Sequence, residues 1–195
     1  MKKASPEPAV HSSLGLKALC QRLQDAGTCH ILELGPARGC NIAFWSRYSP
    51  SIFIADLRGS LPLPTEAEDP DWSRILSLPS DRRYNVILAW DMLNYLDLGA
   101  ISSLAGYLEK ISLPGAILFS LVFDQKEMPR EITVYRILDE GRLGYECIGS
   151  EMQPCPRHQP RAISAAMRPF RVANSFRLRN GAVEYLFCYE ANPSA

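Results

Sequence analysis

The chain has 195 residues, of which 47% are hydrophobic and 22% are charged, and its formal net charge is zero. This length allows one domain with a buried core, and the composition is that of a globular protein. A neutral chain argues against a whole-chain electrostatic attraction to nucleic acid or to an anionic membrane surface. No segment approaches the roughly 20 apolar residues that a membrane-spanning helix needs.

The cysteines and the N-terminus favour a reducing, cytoplasmic location. None of the six cysteines forms a C-x-x-C pair, so no metal site is predicted. The opening run "MKKASPEPAVHSS" has two lysines but no apolar stretch behind them, unlike a secretory signal. Residues 1–12 are rich in proline, serine and charge, so we expect a flexible N-terminal arm there, followed by one domain over residues 13–195.

The first two thirds of the chain predict alternating helices and strands. "SLGLKALCQRLQDAG" has the periodicity of a helix, "CHILEL" that of a buried strand, "NIAFWSRYS" that of a short helix and "SIFIAD" that of a second strand. "SRILSLP" is at best a short third strand, whereas "RYNVILAWD" holds the unbroken apolar run of a central parallel strand. A helix in "LGAISSLAGYLEKIS" and a strand in "PGAILFSLVF" complete a doubly wound α/β pattern.

The remaining segments predict an antiparallel finish. Residues 131–149 read as two alternating runs around Asp139-Glu140-Gly141, which indicates a β-hairpin. "QPRAISAAMRPF" predicts a short helix, and "RVANSFRLRNGAVEYLFCYE" predicts two strands joined by a tight turn at Asn180-Gly181. A hairpin inserted there could act as a substrate lid, as a sheet extension or as a dimer contact.

A turn of small residues lies between the first predicted strand and the helix after it. Gly35, Ala37 and Gly39 would let the backbone approach a ligand closely, and the amides at the helix start would face the same crevice. The run matches neither the G-x-G-x-x-G fingerprint nor a Walker loop. Asp56 ends the second predicted strand, where a carboxylate can accept hydrogen bonds from ribose hydroxyls.

Taken in order, these features resemble the class I S-adenosylmethionine-dependent methyltransferases. "LELGPARG" is similar to their first motif, and Asp56 stands where their ribose-binding acid stands. "YNVILAWDMLNYLD" looks like the fourth strand and following loop of the small-molecule branch, and "RNGAVEYLFCYE" looks like the antiparallel last strand. The resemblance covers roughly residues 14–190. It implies a mostly parallel, seven-stranded sheet with an antiparallel last strand, S-adenosylmethionine as cofactor and a small-molecule methyl acceptor.

The resemblance also assigns roles to individual residues. The implied cofactor-binding residues are Glu33, Gly35, Pro36, Ala37, Gly39, Asp56, Leu57 and Trp90. Among them the glycine turn would carry the methionine part, with Glu33 orienting the turn. Leu57 would lie against the adenine, and Trp90 would approach the methionine end. The family's acid or amide near the adenine amine has no clear counterpart, and no Asn-Pro-Pro-aromatic motif follows the fourth strand, so a nucleic-acid substrate is not expected.

Catalytic residues are harder to assign, because methyl transfer can rest largely on positioning the nucleophile. Asp91 is the candidate general base, and a loop or helix-cap acid is the alternative. Asn94, Tyr95 and Tyr135 are candidate substrate-binding residues, although Tyr95 could equally belong to the core. Two other hypotheses stay open: an inactive methyltransferase-like binding or scaffolding protein, and an RNA-modifying enzyme with an arginine-bearing C-terminal face. The chain could also form a homodimer.

Overall fold

The structure is a computed structural model that describes residues 9–25, 27, 29–61, 70–147 and 149–191. Its helices are α1 (Leu14–Asp25), α2 (Gly39–Trp45), α3 (Trp72–Leu76), α4 (Leu98–Lys110) and α5 (Pro160–Ala166). Its strands are β1 (Ala9–Ser12), β2 (His30–Glu33), β3 (Ser51–Ile54), β4 (Tyr84–Trp90), β5 (Ser112–Val122), β6 (Glu127–Pro129), β7 (Val134–Asp139), β8 (Arg142–Glu146), β9 (Met152–Pro154), β10 (Phe170–Arg177) and β11 (Val183–Tyr189).

A mixed central sheet organises these elements in the order β10-β11-β5-β4-β2-β3. The neighbours among β3, β2, β4 and β5 pair in parallel, whereas β11 runs antiparallel to both β5 and β10. The chain passes from β2 to β3 on one side and then crosses to β4 on the other side of β2. The α/β class and the antiparallel last strand are therefore as the sequence predicted.

The predicted count of seven strands in the central sheet is not confirmed. The central sheet has six strands among the described residues, not seven. The segment expected to form a short third strand contains α3 instead. Asp71 caps this helix by accepting a hydrogen bond from the Arg74 backbone amide, and the helix buries Trp72 and Leu76 on one side. The apolar spacing of the segment serves this helical face rather than a sheet.

A second, three-stranded sheet has the order β1-β8-β7. Strands β7 and β8 pair in antiparallel fashion, and β1 pairs with the other edge of β8. The loose arm expected over residues 1–12 is therefore wrong for Ala9–Ser12, which form β1 because β8 offers them an unpaired backbone edge. Residues 1–8 of that predicted arm lie outside the described residues.

The apolar core lies on both faces of the central sheet. Adjacent strand residues alternate between the two faces, so Ile31 and Val86 pack towards α1 and α2, while Leu32 and Ile87 pack towards α3, α4 and α5. The hairpin of β7 and β8 joins the α1–α2 face. In the part of the chain that the structure describes, no helix has the length and apolarity needed to cross a bilayer.

Candidate active site at the carboxyl edge of the sheet

The predicted cofactor-binding residues lie where β2, β3 and β4 end. Glu33, the last residue of β2, pairs with Ile54 of β3 on one side and with Leu88 of β4 on the other. The glycine turn, Asp56 and Trp90 therefore follow three neighbouring parallel strands to the same edge. This edge includes the crevice between β2 and β4 where the strand order reverses, which is the usual ligand-binding position in open α/β sheets.

The glycine turn is closed at one end and open at the other. Gly35 and Pro36 are buried, whereas Ala37 and Gly39 are exposed. A Cβ atom added to Gly35 would lie 2.8 Å from Cδ1 of Trp90 and 3.0 Å from Oε1 of Glu33, so only glycine fits there. A Cβ atom added to Gly39 would meet no heavy atom within 4 Å.

Glu33 is buried beneath this turn, with 3% of its surface exposed. The indole N–H of Trp90 donates a hydrogen bond to its carboxyl Oε1. Burial raises the pKa of the Glu33 carboxyl from 4.5 to about 8, although the hydrogen bonds from Trp90 and from the Gly35 backbone oppose that rise. The carboxyl group is thus mostly protonated at neutral pH.

Trp90 covers Gly35. Its backbone has the left-handed φ of 46°, and its ring is 3% exposed. The indole stacks on Tyr135 of β7, with 5.1 Å between ring centroids and 6° between planes, and it meets Phe119 edge-on at 5.8 Å. The space beside Gly35 is therefore filled by an aromatic ring, which must move before a ligand can reach that end of the turn.

Asp56 and Leu57 occupy different environments. The Ala55 backbone amide donates to the Glu33 carbonyl at 2.8 Å, which fixes the start of the segment, and Asp56 is exposed directly after it. Leu57 is 1% exposed and belongs to the apolar core. The structure thus presents Asp56 at the surface of the edge and keeps the Leu57 side chain beneath it. The predicted contact of Leu57 with an adenine stays a prediction.

Asp91 is fully buried rather than placed at the cleft mouth, where we expected it. Its Oδ2 accepts a hydrogen bond from the Thr133 backbone amide at 3.1 Å, while Oδ1 has no partner among the described residues. Burial raises the pKa of this carboxyl from 3.8 to about 7, against the hydrogen bonds from Thr133. It makes no helix-capping hydrogen bond.

Two of the candidate substrate-binding residues, Asn94 and Tyr95, make hydrogen bonds to the backbone, and their contact with a substrate stays a prediction. The Asn94 amide donates to the carbonyls of Asp91 and Leu121 and accepts from the Phe123 amide, at 2.7 to 2.9 Å. The Tyr95 hydroxyl lies 3.0 Å and 2.8 Å from the carbonyl oxygens of residues 129 and 131. Both side chains therefore stabilise the segment that leads from β5 to β7.

Tyr135, the third candidate, lines a cavity of about 230 Å³ beside the site. Its backbone is tied to α2 because the buried Asn41 donates to the Tyr135 carbonyl at 3.1 Å and accepts from the Ile137 amide at 2.9 Å. The same cavity is lined by His11 and Tyr145, whose ring centroids are 5.7 Å apart.

Sequence reasoning missed His11 and the residue behind it, Glu184. His11 lay in the expected loose arm, and β1 brings it to the cavity only by pairing with a strand more than 130 residues further along the chain. Glu184 carried a signal that could have been used, since it is the one acidic residue within the largely apolar strand "VEYLFCY". A carboxylate in a buried strand needs a hydrogen-bonding or charged partner, so Glu184 predicts such a partner elsewhere in the chain.

Comparison with known proteins places this geometry in a fold class. No protein-family model matches the chain, and no curated protein matches it. Among solved structures, a S-adenosylmethionine-dependent methyltransferase from Clostridium acetobutylicum superposes with a TM-score of 0.57 at 10% identity, over 91% of each chain. The N-methyltransferase NodS from Bradyrhizobium japonicum, in complex with S-adenosylhomocysteine, gives 0.52 at 13% identity, over 90% of this chain and 86% of that one.

A third neighbour is CalS10, an amino pentose methyltransferase from Micromonospora echinaspora with bound S-adenosylmethionine. It superposes with a TM-score of 0.52 at 11% identity, over 89% of each chain. At these identities the likeness concerns the fold. The protein has the fold of the class I S-adenosylmethionine-dependent methyltransferases, as the resemblance in the sequence implied.

Proposed function

We propose that this protein is an S-adenosylmethionine-dependent methyltransferase acting on a small-molecule acceptor. The observation that carries the proposal is the placement of a glycine turn and an exposed aspartate at the ends of two adjacent parallel strands. Gly39 leaves open space above the start of α2, and Asp56 is exposed on the neighbouring strand end. Open backbone beside a carboxylate suits a ribose-bearing ligand.

The described residues fit such a cofactor at this open end of the turn. Asp56 would accept hydrogen bonds from the ribose, and the backbone from Ala37 to Gly39 would approach the ligand closely. At the other end, Trp90 lies against Gly35, so binding of the methionine part requires the indole ring to leave that position. Glu33 and Trp90 would then hold that part of the ligand after their mutual hydrogen bond has opened.

When bound, the cofactor supplies an electrophilic methyl group on a positively charged sulfur. The protein must hold the acceptor atom in line with that group and keep water out, and positioning of this kind supplies much of the rate acceleration. The buried surroundings of Trp90 and Tyr135 suit both tasks, because a ligand that replaces the indole enters a site lined by aromatic rings. An acceptor that must lose a proton also needs a base.

Calorimetry with S-adenosylmethionine and S-adenosylhomocysteine tests the proposal. We expect roughly micromolar dissociation constants for the wild type. Asp56→Ala should weaken binding by about 10- to 100-fold, since hydrogen bonds to a charged group are worth about 1.5 to 3 kcal/mol. Asp81→Ala is the matched control, because Asp81 is also exposed but precedes β4 at the opposite edge of the sheet. Absence of both binding heat and thermal stabilisation with either ligand would refute the proposal.

Tryptophan fluorescence gives a second, independent readout. Because the indole of Trp90 must leave Gly35, ligand binding should change the emission of the wild type and should leave that of Trp90→Phe almost unchanged. Trp72→Phe is the control, since Trp72 lies on α3 in the core beneath the sheet and should not lose the response. An equal response in both variants would show that the ligand binds without displacing Trp90.

A further inference from the structure

The cavity of about 230 Å³ adjoins the covered end of the glycine turn through Tyr135, whose ring stacks on Trp90 and also lines the cavity. The volume is somewhat below the roughly 300 to 1,000 Å³ of typical small-molecule sites, so it suits a molecule of one or two rings. When the indole of Trp90 leaves Gly35, the Tyr135 ring loses its stacking partner. A small molecule in this cavity would therefore lie next to the position that the methyl donor is proposed to take.

Three aromatic side chains line this cavity. They are Tyr135, Tyr145 and Phe123, and Leu121 and Met152 add apolar surface. Aromatic side chains pack well against a planar ring, and the negative face of their π-systems attracts a positive charge. The wall therefore suits a planar aromatic molecule that is neutral or positively charged.

Two buried carboxyl groups lie directly behind the cavity wall. Asp91 accepts a hydrogen bond at 3.1 Å from the backbone amide of Thr133, and Oε1 of Glu184 lies 3.5 Å from Nε2 of His11. Thr133 and His11 line the cavity, whereas both carboxyl groups are fully buried. Each carboxyl group has one oxygen without a hydrogen-bond partner in the described part of the chain. They are close enough to act on a bound molecule through their charge, but they do not touch it.

The negative charge of Asp91 reaches the cavity wall. After burial, this charge is the next largest cause that raises the pKa of the Tyr135 hydroxyl and of the Cys147 thiol, and both residues line the cavity. A charge that opposes a further negative charge at the wall favours a positive charge beside it. Among the described lining residues there is no lysine or arginine to supply that positive charge. A positively charged ligand would supply it.

The described wall does not offer a proton acceptor to such a ligand. Both ring nitrogens of His11 are buried, so the imidazole presents no nitrogen to the cavity. Tyr135 and Cys147 keep their protons at neutral pH because their pKa values are raised. An acceptor that reacts through a free lone pair, and that loses no proton, needs no base.

We propose that this cavity holds the methyl acceptor, and that the acceptor is a small, neutral heteroaromatic molecule that is methylated on a ring nitrogen to give a cationic product. The inference rests on the methyltransferase function proposed above. The nitrogen lone pair forms the bond to the methyl carbon, while the bond between that carbon and the donor's sulfur breaks and its electron pair stays on the sulfur. The positive charge thus passes from sulfur to nitrogen, and no proton is released. The aromatic side chains and the buried carboxyl groups stabilise that charge as it enters the cavity.

Calorimetry with ligands of matched shape tests the preference for a cation without any turnover. 1-Methylquinolinium and 1-methylnaphthalene differ by a positively charged nitrogen in place of a ring carbon. In the presence of S-adenosylhomocysteine, the wild type should bind 1-methylquinolinium at least threefold more tightly. A merely apolar cavity would favour 1-methylnaphthalene instead, because a charge is costly to remove from water. The anion 1-naphthoate should bind at least tenfold more weakly than 1-methylquinolinium.

Variants of Tyr145 identify the source of this preference. Tyr145→Leu removes an aromatic ring and should weaken the binding of 1-methylquinolinium by about 3- to 10-fold, with a smaller effect on 1-methylnaphthalene. Tyr145→Phe keeps the ring and is the matched control, which should bind both ligands within about twofold of the wild type. Tyr145 lies on β8 and is half-buried, so both variants should bind S-adenosylhomocysteine as the wild type does. Thermal unfolding checks that each variant is folded.

Methyl transfer from S-adenosylmethionine tests the chemical role of the cavity. At pH 7.5, where the ring nitrogen of quinoline carries no proton, the wild type should convert quinoline to 1-methylquinolinium, which mass spectrometry detects. It should not methylate 2-naphthol, whose oxygen must lose a proton. The kcat/KM for quinoline should fall by about 3- to 10-fold in Tyr145→Leu and stay within about twofold in Tyr145→Phe.

The possible failures are distinguishable. If the wild type binds S-adenosylhomocysteine but does not prefer 1-methylquinolinium to 1-methylnaphthalene by this margin, the inference is wrong and the proposed function stands. Failure to methylate quinoline, or methylation of 2-naphthol in its place, has the same meaning. If the wild type binds neither S-adenosylmethionine nor S-adenosylhomocysteine, both proposals are wrong.

Discussion

Replacing Glu33 by glutamine should make the protein's stability less dependent on pH. Glutamine keeps the shape of the side chain and can still accept the hydrogen bond from the Trp90 indole. It cannot lose a proton, however. The wild-type carboxyl has a pKa of about 8 in the folded state and about 4.5 when exposed, because burial disfavours its charged form.

The sign and size of the effect follow from that difference. Below pH 4.5 both states hold the proton, so the carboxyl does not reduce stability there. Between pH 4.5 and 8 the unfolded state releases the proton while the folded state keeps it, and stability falls by about 1.4 kcal/mol per pH unit. Above pH 8 the fall stops, at a total on the order of 5 kcal/mol. A loss of this size is a large part of a domain's stability. Local opening at Trp90 would let the Glu33 carboxyl ionise without global unfolding and would therefore limit the loss.

Urea unfolding of the wild type and Glu33→Gln at pH 5.0, 6.5 and 8.0 measures this difference. The wild type should lose about 2 kcal/mol relative to the variant over each interval. The raised pKa of Asp91 affects both proteins equally and cancels in the comparison. Glu151→Gln, at an exposed site, is the control and should stay within about 0.5 kcal/mol of the wild type. A gap that stays constant from pH 5.0 to 8.0 would refute the account of Glu33.

Three further predictions concern the turn, the hairpin and the thiols. Gly35→Ala should destabilise the fold by about 1 to 3 kcal/mol because of the indole ring above it, whereas Gly39→Ala should change stability by less than about 0.5 kcal/mol; urea unfolding compares them. Asn41→Ala removes two buried hydrogen bonds to β7 and should cost about 2 to 4 kcal/mol, and hydrogen exchange should show faster opening of β7. The exposed Cys40 should react with a maleimide at pH 7 roughly 1,000-fold faster than Cys20, which is 1% exposed and whose thiol pKa burial raises to about 12; peptide mass spectrometry measures both.

Local sequence signals predicted the frame of the fold well. The unbroken apolar run in "RYNVILAWD" predicted a central strand, and β4 lies inside the sheet between β2 and β5. A strand covered on both faces needs apolar side chains in both directions. Asn180-Gly181 lies between β10 and β11, and Gly181 has the positive φ of 89° that such a tight turn requires. Each of these signals depends on residues next to one another in the chain.

The sequence did not predict features that depend on distant partners. Strand β1 forms because β8 has an unpaired edge. The proline-rich residues beside β1 in the sequence made this strand hard to predict. His11 could not be connected with Glu184 either, because the two meet only after β1, β8 and β11 have been placed. The error at α3 is of a different, local kind: Asp71 before Trp72 is a helix-start signal that the prediction of a strand overlooked.

For the site, the positions along the strands were predictable but the directions of the side chains were not. Parallel strands end at a common edge, so Glu33, Asp56 and Trp90 could be grouped from their order alone. The left-handed φ of 46° at Trp90, which goes with its position over Gly35, has no sequence signal in a residue other than glycine. Asp91, one residue later, is fully buried.

The stacked rings of Trp90 and Tyr135 form the boundary between the glycine turn and the cavity. Trp90 contacts the turn, Tyr135 lines the cavity, and their planes lie within 6° of one another. A ligand that displaces the indole from Gly35 must also break or shift this stack, which is worth about 0.5 to 1.5 kcal/mol beyond the area it buries. Because Asn41 anchors the Tyr135 backbone to α2, the phenol ring can respond without the whole hairpin moving. Binding at the turn and the shape of the cavity are therefore coupled through two side chains, and a Tyr135→Leu variant would weaken that coupling without touching the turn.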